Sequence, residues 1–196
     1  MIQKPMFSPQ TEWLPPESFP DLSKYDEVAI DLETKDPQLK TMGSGSVTGR
    51  GKIVGIALAV KDWSGYFPIA HEGGGNMDEK MVMDYFRTVL NYSSTKIFHN
   101  AMYDVCFIKA AGLKINGRII DTMIAGSLVD ENRFRYDLGS MGRDYLGRGK
   151  NEAVLNETAA LWGVDPKSEM YKLPAMYVGE YAERDAEMTL ELWQEM

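Results

Sequence analysis

The chain of 196 residues has few of the features that mark a disulfide-rich or membrane-spanning protein. It contains one cysteine, Cys106, so it can form no internal disulfide, and this favours a reducing, cytoplasmic compartment. No apolar run reaches the roughly 18 residues that a membrane span requires, so we expect no membrane partner. Residues 1–21 carry prolines and charges where a signal peptide needs an apolar core, which argues against secretion.

The chain also lacks an excess of basic residues. It has 21 Lys and Arg against 29 Asp and Glu, which gives a net charge of −8. A surface that binds nucleic acid broadly is usually basic, so this composition argues against one. It leaves open an enzyme whose acids bind metal ions, because the ions supply the local positive charge. The hydrophobic content of 44% is typical of one globular domain with a sizeable core.

The most informative stretch that is present runs from Tyr25 to Asp36. Its apolar residues 28–30 lead into Asp31-Leu32-Glu33, a pattern typical of a buried strand. Side chains alternate along a strand, so the two acids share one face and Leu32 takes the other. Such a pair could hold a hard divalent cation through its oxygens, or could be solvated at an exposed strand edge. The motif is short, so by itself it leaves both interpretations open.

We predict two parts along the chain. Residues 1–24 are expected to form an extended N-terminal arm, pinned by Trp13, Leu14 and Phe19. Residues 25–196 are expected to form the functional domain, because the strand and helix patterns all lie within them.

Within the domain, segments 53–60 and 65–70 are strand-like and are separated by a turn. With the first strand they predict an antiparallel meander. The glycine-rich stretch 39–52 matches neither a P-loop nor a dinucleotide fingerprint, and its composition predicts a mobile loop. A helix is predicted over residues 76–90, capped by its first residue, and Asp121 is expected to cap a later helix.

Two further acidic patterns lie in predicted helices. The helix after the short strand 95–98 has Asn100 at its cap and Asp104 in its first turn. The last helix carries Tyr181 and Asp185 four residues apart, hence on one face. Each pattern also has a structural explanation. An acid near a helix start is stabilised by the helix dipole, and the tyrosine–aspartate pair could be a satisfied surface pair.

The three acidic motifs, in this order, resemble those of the DEDD superfamily of 3′–5′ exonucleases, in the subclass with tyrosine in its third motif. They stand as AIDLET, as HNAMYDVCFIKAAG followed by IIDTMIAGSLVD, and as YVGEYAERDAEMTLELW. The resemblance is in particular to the proofreading domain of bacterial and phage family A DNA polymerases, and it extends from Tyr25 to Trp193. It implies an α/β, RNase H-like fold: a central mixed five-stranded β-sheet flanked by α-helices.

The resemblance also implies two divalent metal ions, Mg²⁺ or Mn²⁺, held by the four carboxylates. By position, Asp31 would bind both ions, and Glu33 and Asp185 would complete the site of the first. Asp104 would hold the second ion through water. Two ions roughly 3.5–4 Å apart clamp both oxygens of an in-line displacement, so no lysine or histidine is needed as a base.

Other residues receive roles from the same resemblance. Tyr181 would orient the attacking water together with Glu33. Thr34 and Leu39 would line the pocket for the terminal nucleotide, and Asn100 would support the bound strand. Because a frayed strand end is bound by stacking and backbone contacts, no readout of base sequence is required.

The activity that the resemblance implies is 3′–5′ hydrolysis of single-stranded DNA, releasing nucleoside 5′-monophosphates. The implied partner is a family A polymerase domain, in cis or in trans, in the cytoplasm of a bacterial or phage-infected cell. Two alternatives stay open. An RNase D-like 3′–5′ exoribonuclease uses the same motifs, and a non-catalytic nucleic-acid-binding or structural module could retain a relic site. The last helix ends without a stop signal, which suggests a fragment of a longer protein.

Overall fold

The computed structural model describes residues 9–196, which form a mixed five-stranded sheet flanked by helices. The strands are β1 (Glu27–Lys35), β2 (Lys52–Val60), β3 (Trp63–Pro68), β4 (Thr95–Phe98) and β5 (Ile119–Asp121). Their order across the sheet is β3-β2-β1-β4-β5. This confirms the predicted α/β architecture with its central mixed sheet.

Helices lie between the strands, except between β2 and β3, and four of them follow β5. The helices are α1 (Leu39–Met42), α2 (Gly45–Thr48), α3 (Glu79–Asn91), α4 (Ala101–Ala110), α5 (Thr122–Val129), α6 (Leu138–Leu146), α7 (Ala153–Trp162) and α8 (Gly179–Glu195). Two 3₁₀ turns, Met170–Lys172 and Ala175–Tyr177, connect α7 to α8. No helix within residues 9–196 is long and apolar enough to cross a membrane.

Strand β1 lies at the centre of the sheet and changes neighbours along its length. Its antiparallel ladder with β2 runs from Ala29 to Lys35, and β2 continues into β3 as the predicted meander. Its parallel ladder with β4 covers only Glu27 to Ala29. Because β4 is short, the later half of β1 has no strand on that side, and a cleft can open there.

The two faces of β1 pack against different parts of the protein, as side-chain alternation predicts. Val28, Ile30 and Leu32 belong to the apolar core that includes α3 and α4. Ala29 faces α8 on the opposite side, and the two following odd-numbered residues are Asp31 and Glu33. The acids therefore emerge from the sheet on the face that α8 covers.

Helix α8 packs on this face through small residues. Ala29, Ala57 and Ala59 of the sheet and Ala182 and Ala186 of the helix are buried in one cluster. Alanine side chains let a helix approach a sheet closely, because no longer side chain holds the two backbones apart. This close approach brings the polar residues of α8 next to the acids of β1.

Two predictions about secondary structure were wrong. Helix α3 begins at Glu79, with Asp78 as its cap, whereas Asn76 exchanges hydrogen bonds with the backbone of His71 instead. The stretch 39–52, predicted as a mobile loop, contains the short helices α1 and α2. It is held by Asp36, whose carboxylate accepts a 2.9 Å hydrogen bond from the Gly45 amide.

The described part of the N-terminal arm, residues 9–24, has neither helix nor strand and is attached by its aromatic residues. The Trp13 indole donates a 2.9 Å hydrogen bond to Glu183 of α8, and its ring lies against Gly179. Phe19 stacks on Phe67 of β3 at 5.6 Å between ring centroids. Leu14 was predicted to help but is 77% exposed, so it pins nothing.

Candidate active site

A polar cleft opens where the later half of β1 passes the end of β4. It is bounded by β1, by the start of α4, by the segment that leads into α6, and by α7 and α8. The residues from the sequence motifs that line it are Asp31, Glu33, Thr34, Leu39, Asn100, Tyr181 and Asp185. The structure thus brings seven of the eight predicted site residues to one surface.

The eighth residue, Asp104, lies directly behind this surface and is buried. Its Oδ1 accepts a 3.2 Å hydrogen bond from the backbone amide of Leu32, between the two acids of β1. That amide is free to donate because β4 pairs with β1 only as far as Ala29. The short strand therefore allows the first turn of α4 to bring a third carboxylate up to β1.

The start of α4 is capped from another element. Asn100 occupies the N-cap position with a φ of 66°, but its side chain makes no capping hydrogen bond. The Asp121 carboxylate instead accepts from the Asn100 and Ala101 amides at 3.0 and 2.8 Å, and from Met123 at the start of α5. Asp121 thus caps two helices, which extends the predicted single cap. Because the Asn100 side chain is not used for capping, it is free to face the cleft.

Tyr181 and Asp185 are joined by a residue that the sequence motifs did not include. The Lys150 ammonium donates hydrogen bonds to Asp185 Oδ2 and, at 3.1 Å, to the Tyr181 hydroxyl oxygen. Asp185 is 3% exposed, and its other oxygen, Oδ1, is buried without a hydrogen-bond partner among residues 9–196. One carboxylate oxygen is therefore neutralised and the other is left for a further ligand.

Burial and mutual repulsion raise the pKa values of the whole acidic group. Burial, with the nearby charge of Asp185, raises the pKa of Asp31 to about 7. Burial and the charge of Asp31 raise the pKa values of Glu33 and Asp104 well above their usual range. Burial also raises the pKa of Asp185, although the Lys150 ammonium acts in the opposite direction. The cluster is therefore short of positive charge.

A divalent metal ion would supply the positive charge that the four carboxylates lack. Carboxylate oxygens are the hard ligands that Mg²⁺ and Mn²⁺ prefer, and the unpartnered Asp185 Oδ1 is such a ligand. Leaving a buried carboxylate oxygen unpaired costs free energy that a bound cation would remove. Within residues 9–196, no three acidic, histidine or cysteine side chains are already close enough together to hold one ion. The donor set fits a divalent ion, but its side chains would have to close around it.

The structure adds cleft residues that the sequence reasoning missed. The Tyr103 hydroxyl lies 2.9 Å from Thr34 Oγ1 and donates to the Asp36 carboxylate at 3.1 Å. Four basic side chains also line the cleft: Arg135, Arg143, Lys150 and Lys167. The sequence held no specific signal for Lys150, because the glycines in GRGK, residues 147–150, indicate only a turn.

Neither histidine is arranged as a general base. His99 lines the cleft, but burial lowers its pKa to about 4, and its Nδ1 lies 2.9 Å from the Thr122 hydroxyl. His71 is buried, with its Nε2 2.6 Å from the Tyr66 hydroxyl and its Nδ1 3.0 Å from the Leu173 carbonyl. Both imidazoles are thus engaged with neighbouring groups, and neither hydrogen-bonds to a carboxylate of the cleft among residues 9–196.

Three comparisons with known proteins describe what this chain is similar to. Residues 7–196 match the model of a family described as 3′–5′ exonuclease. The chain is 34% identical over 201 residues to a DNA-directed DNA polymerase of Pseudomonas phage M6, covering 97% of this chain and 30% of that protein. It spans less than a third of the length of the phage polymerases that it matches.

Solved structures share the fold at low sequence identity. Trypanosoma brucei RNase D has a TM-score of 0.63 at 18% identity, covering 89% of this chain and 58% of that one. Brucella melitensis NrnC with bound Mg²⁺ has a TM-score of 0.51 at 18% identity, covering 90% of each chain. These likenesses confirm the RNase H-like fold expected from the sequence.

Proposed function

This chain belongs to the 3′–5′ exonuclease family of family A DNA polymerases, and from that premise we propose that it hydrolyses single-stranded DNA from the 3′ end with two divalent metal ions. The products would be nucleoside 5′-monophosphates, and the activity would proofread for a polymerase domain. The observation that carries the proposal is the convergence of carboxylates from β1, α4 and α8 around one cleft. A polymerase partner is supported by the matched relatives, which are phage DNA polymerases.

The carboxylates would divide the metal ligands among themselves. Asp31 would bind both ions, Glu33 and Asp185 would complete the first site, and Asp104 would hold the second through water. The unpartnered Asp185 Oδ1 supports its assignment as a ligand. When bound, two ions would neutralise charge on the scissile phosphate and lower the pKa of water. The Mg²⁺ bound in the NrnC structure is consistent with Mg²⁺ as one such ion.

The remaining residues of the chain would position the reactants. Tyr181 and Glu33 would orient the attacking water, since both line the cleft beside Asp31. Thr34 and Leu39 would border the terminal nucleotide, and Asn100 would support the strand behind it. A phenol with a pKa raised by burial stays protonated at neutral pH, so Tyr181 would act as a hydrogen-bond donor and not as a base.

The basic residues of the cleft wall would contact the phosphates of the incoming strand. Arg135, Arg143 and Lys167 line the cleft of a protein whose net charge is −8. Local positive charge of this kind attracts a polyanion even when the whole molecule repels it. A single strand would thereby be attracted to the cleft that holds the carboxylates.

A nuclease assay on matched DNA and RNA strands tests the proposal. DNA labelled at its 5′ end should shorten stepwise from the 3′ end with Mg²⁺ or Mn²⁺ and should remain intact in EDTA. Millimolar Mn²⁺ should also raise the melting temperature by binding the folded state, and the Asp31→Ala, Asp185→Ala double variant should lose this shift.

The same assay separates the alternatives. Preferential degradation of RNA would favour an RNase D-like exoribonuclease. Binding of either strand without cleavage at any metal concentration would favour a relic site. Shortening from the 5′ end, or equal activity in EDTA, would contradict the proposed chemistry.

A further inference from the structure

The cleft contains a lysine whose position goes beyond the carboxylate chemistry. Lys150 lies between α6 and α7, and its ammonium contacts both functional groups that α8 contributes, Asp185 and Tyr181. Its side chain is 23% exposed and that of Asp185 is 4% exposed, so the pair is largely shielded from solvent. Water and salt weaken a shielded ion pair of this kind less than they weaken an ion pair on the surface.

The two hydrogen bonds from Lys150 determine which oxygens of Asp185 and Tyr181 remain open to other partners. Lys150 occupies Asp185 Oδ2, which leaves Oδ1 unpartnered and fixes the plane of the carboxylate. Lys150 also donates to the Tyr181 oxygen at 3.1 Å. A phenol has one proton, and an oxygen that already accepts a hydrogen bond has that proton available for a different acceptor. Both groups are thus oriented by one cation.

We propose that Lys150 is a positioning residue, which holds Asp185 as a ligand and Tyr181 as a hydrogen-bond donor towards the cleft. This inference rests on the proposed exonuclease function. Lys150 would not take a proton from water or bind the leaving group. It would act through the two side chains that it contacts.

The charge of Lys150 gives the proposal a distinctive consequence. An ammonium group beside Asp185 repels a divalent cation that uses the same carboxylate. Its removal should therefore strengthen metal binding and, because the two side chains lose their orientation, weaken catalysis. An ordinary surface ion pair would change neither, and a simple contact to the substrate phosphate would weaken DNA binding instead.

The test compares Lys150→Met, Lys150→Arg and a matched control, Lys172→Met. Lys172 is also an ion-paired lysine, with Glu169, and its side chain is 25% exposed, but it does not line the cleft. Mn²⁺ affinity is measured without DNA by calorimetry, and the hydrolysis rate is measured in single turnovers at saturating Mn²⁺ over a range of DNA concentrations. Each Lys150 variant is also combined with Tyr181→Phe.

The expected result has three parts. Lys150→Met should bind Mn²⁺ at least threefold more tightly and hydrolyse DNA at least tenfold more slowly, with the DNA concentration at half-saturation within threefold of wild type. Lys150→Arg should recover the rate to within threefold. In the Tyr181→Phe background, Lys150→Met should lower the hydrolysis rate by a smaller factor than it does in the wild type. The reason is that part of the effect of Lys150 depends on the Tyr181 hydroxyl.

The inference is overturned if Lys150→Met retains the wild-type rate, if its rate recovers fully at high DNA concentration, or if its effect is fully additive with Tyr181→Phe. Should Lys150→Met not fold, Lys150→Gln is judged by the same criteria. A wild-type protein that cleaves no nucleic acid would contradict the proposed function, whereas the change in Mn²⁺ affinity would still report on Lys150.

Discussion

At the scale of single residues, the site depends on how each carboxylate oxygen is partnered. Asp104 uses Oδ1 to accept from a strand amide, whereas Asp185 places Oδ2 on an ammonium and keeps Oδ1 open. The two buried carboxylates thus have different hydrogen-bond partners, and under the proposed function they would have different roles. Those roles would be set by neighbouring groups, because both residues are aspartates.

Tyr181→Phe tests whether the tyrosine hydroxyl acts on the reaction or only on packing. The change keeps the ring and deletes one oxygen, so we expect single-turnover hydrolysis to fall tenfold or more, about 1.4 kcal/mol of barrier. The melting temperature should change little. Tyr85→Phe is a suitable control, because it deletes a hydroxyl that bonds to the Pro20 carbonyl, outside the cleft. Equal rates for wild type and Tyr181→Phe would remove the hydroxyl from the mechanism.

Asp31→Asn tests the electrostatic strain of the metal-free cluster. Asp31 has a pKa raised to about 7 in the folded chain, against 3.8 without the fold. The folded state therefore binds more protons between these values. The contribution of this group to the unfolding free energy is complete below pH ~4 and is lost as the pH rises through ~7, by on the order of 2–4 kcal/mol.

Asparagine resembles the neutral acid and does not titrate, so the variant should lose this part of the pH dependence. Denaturant unfolding in EDTA, from pH 4 to pH 8, measures the difference between the two proteins. The stability of Asp31→Asn relative to wild type should increase over that range. Parallel curves would show that Asp31 ionises normally in the folded chain.

At the scale of elements, the site is a contact between a helix and a sheet. Helix α8 carries Tyr181 and Asp185 on the face that packs on β1 and β2 through alanines. The distance between the carboxylate of α8 and those of β1 thus depends on the small size of the alanine side chains between the helix and the sheet. Under the proposed function, packing and activity would be linked through Ala182 and Ala186, which are completely buried.

Ala186→Leu should separate α8 from the sheet. Adding three carbons to a filled interface costs typically 1–3 kcal/mol of stability, and the displaced Asp185 should lower the hydrolysis rate. Thermal unfolding and single-turnover assays measure the two effects. Ala160→Leu on α7 is the matched control, because that position is exposed. If Ala186→Leu were as stable and active as Ala160→Leu, α8 would not determine the spacing of the site.

At the scale of the whole molecule, an acidic protein has a few basic side chains in the cleft proposed to bind its substrate. The net charge is −8, and the cleft-lining cations outside the carboxylate group are Arg135, Arg143 and Lys167. Such a molecule should contact few phosphates. Its affinity for single strands should therefore depend only moderately on salt.

The salt dependence of binding measures this number of contacts. With three phosphate contacts, the logarithm of the association constant for single-stranded DNA should fall with a slope of about −2 against the logarithm of the salt concentration. Fluorescence anisotropy with Asp31→Ala avoids cleavage during the measurement. Arg135→Gln should flatten the slope, whereas Lys80→Gln, on the exposed face of α3, should not. A slope steeper than about −4 would indicate a larger basic surface.

Much of the fold and of the site followed from local patterns in the sequence. Alternation along β1 placed Asp31 and Glu33 on one face, and a spacing of four placed Tyr181 and Asp185 on another. Asp121 was predictable as a cap because its carboxylate acts on amides only two or three residues away. Such features depend on backbone geometry that a few neighbouring residues decide.

Other features depended on contacts between distant segments. The sequence by itself did not distinguish Asn76 from Asp78 as the cap of α3, since both are good capping residues. Nor did it reveal that Asp121 caps a second helix, α4, from 20 residues away. Lys150 reaches Asp185 across 35 residues of chain, and only the packing of α8 on the sheet brings the two together. Because tertiary packing decides which charges become neighbours, the acids could be found in the sequence, whereas the cation between them could not.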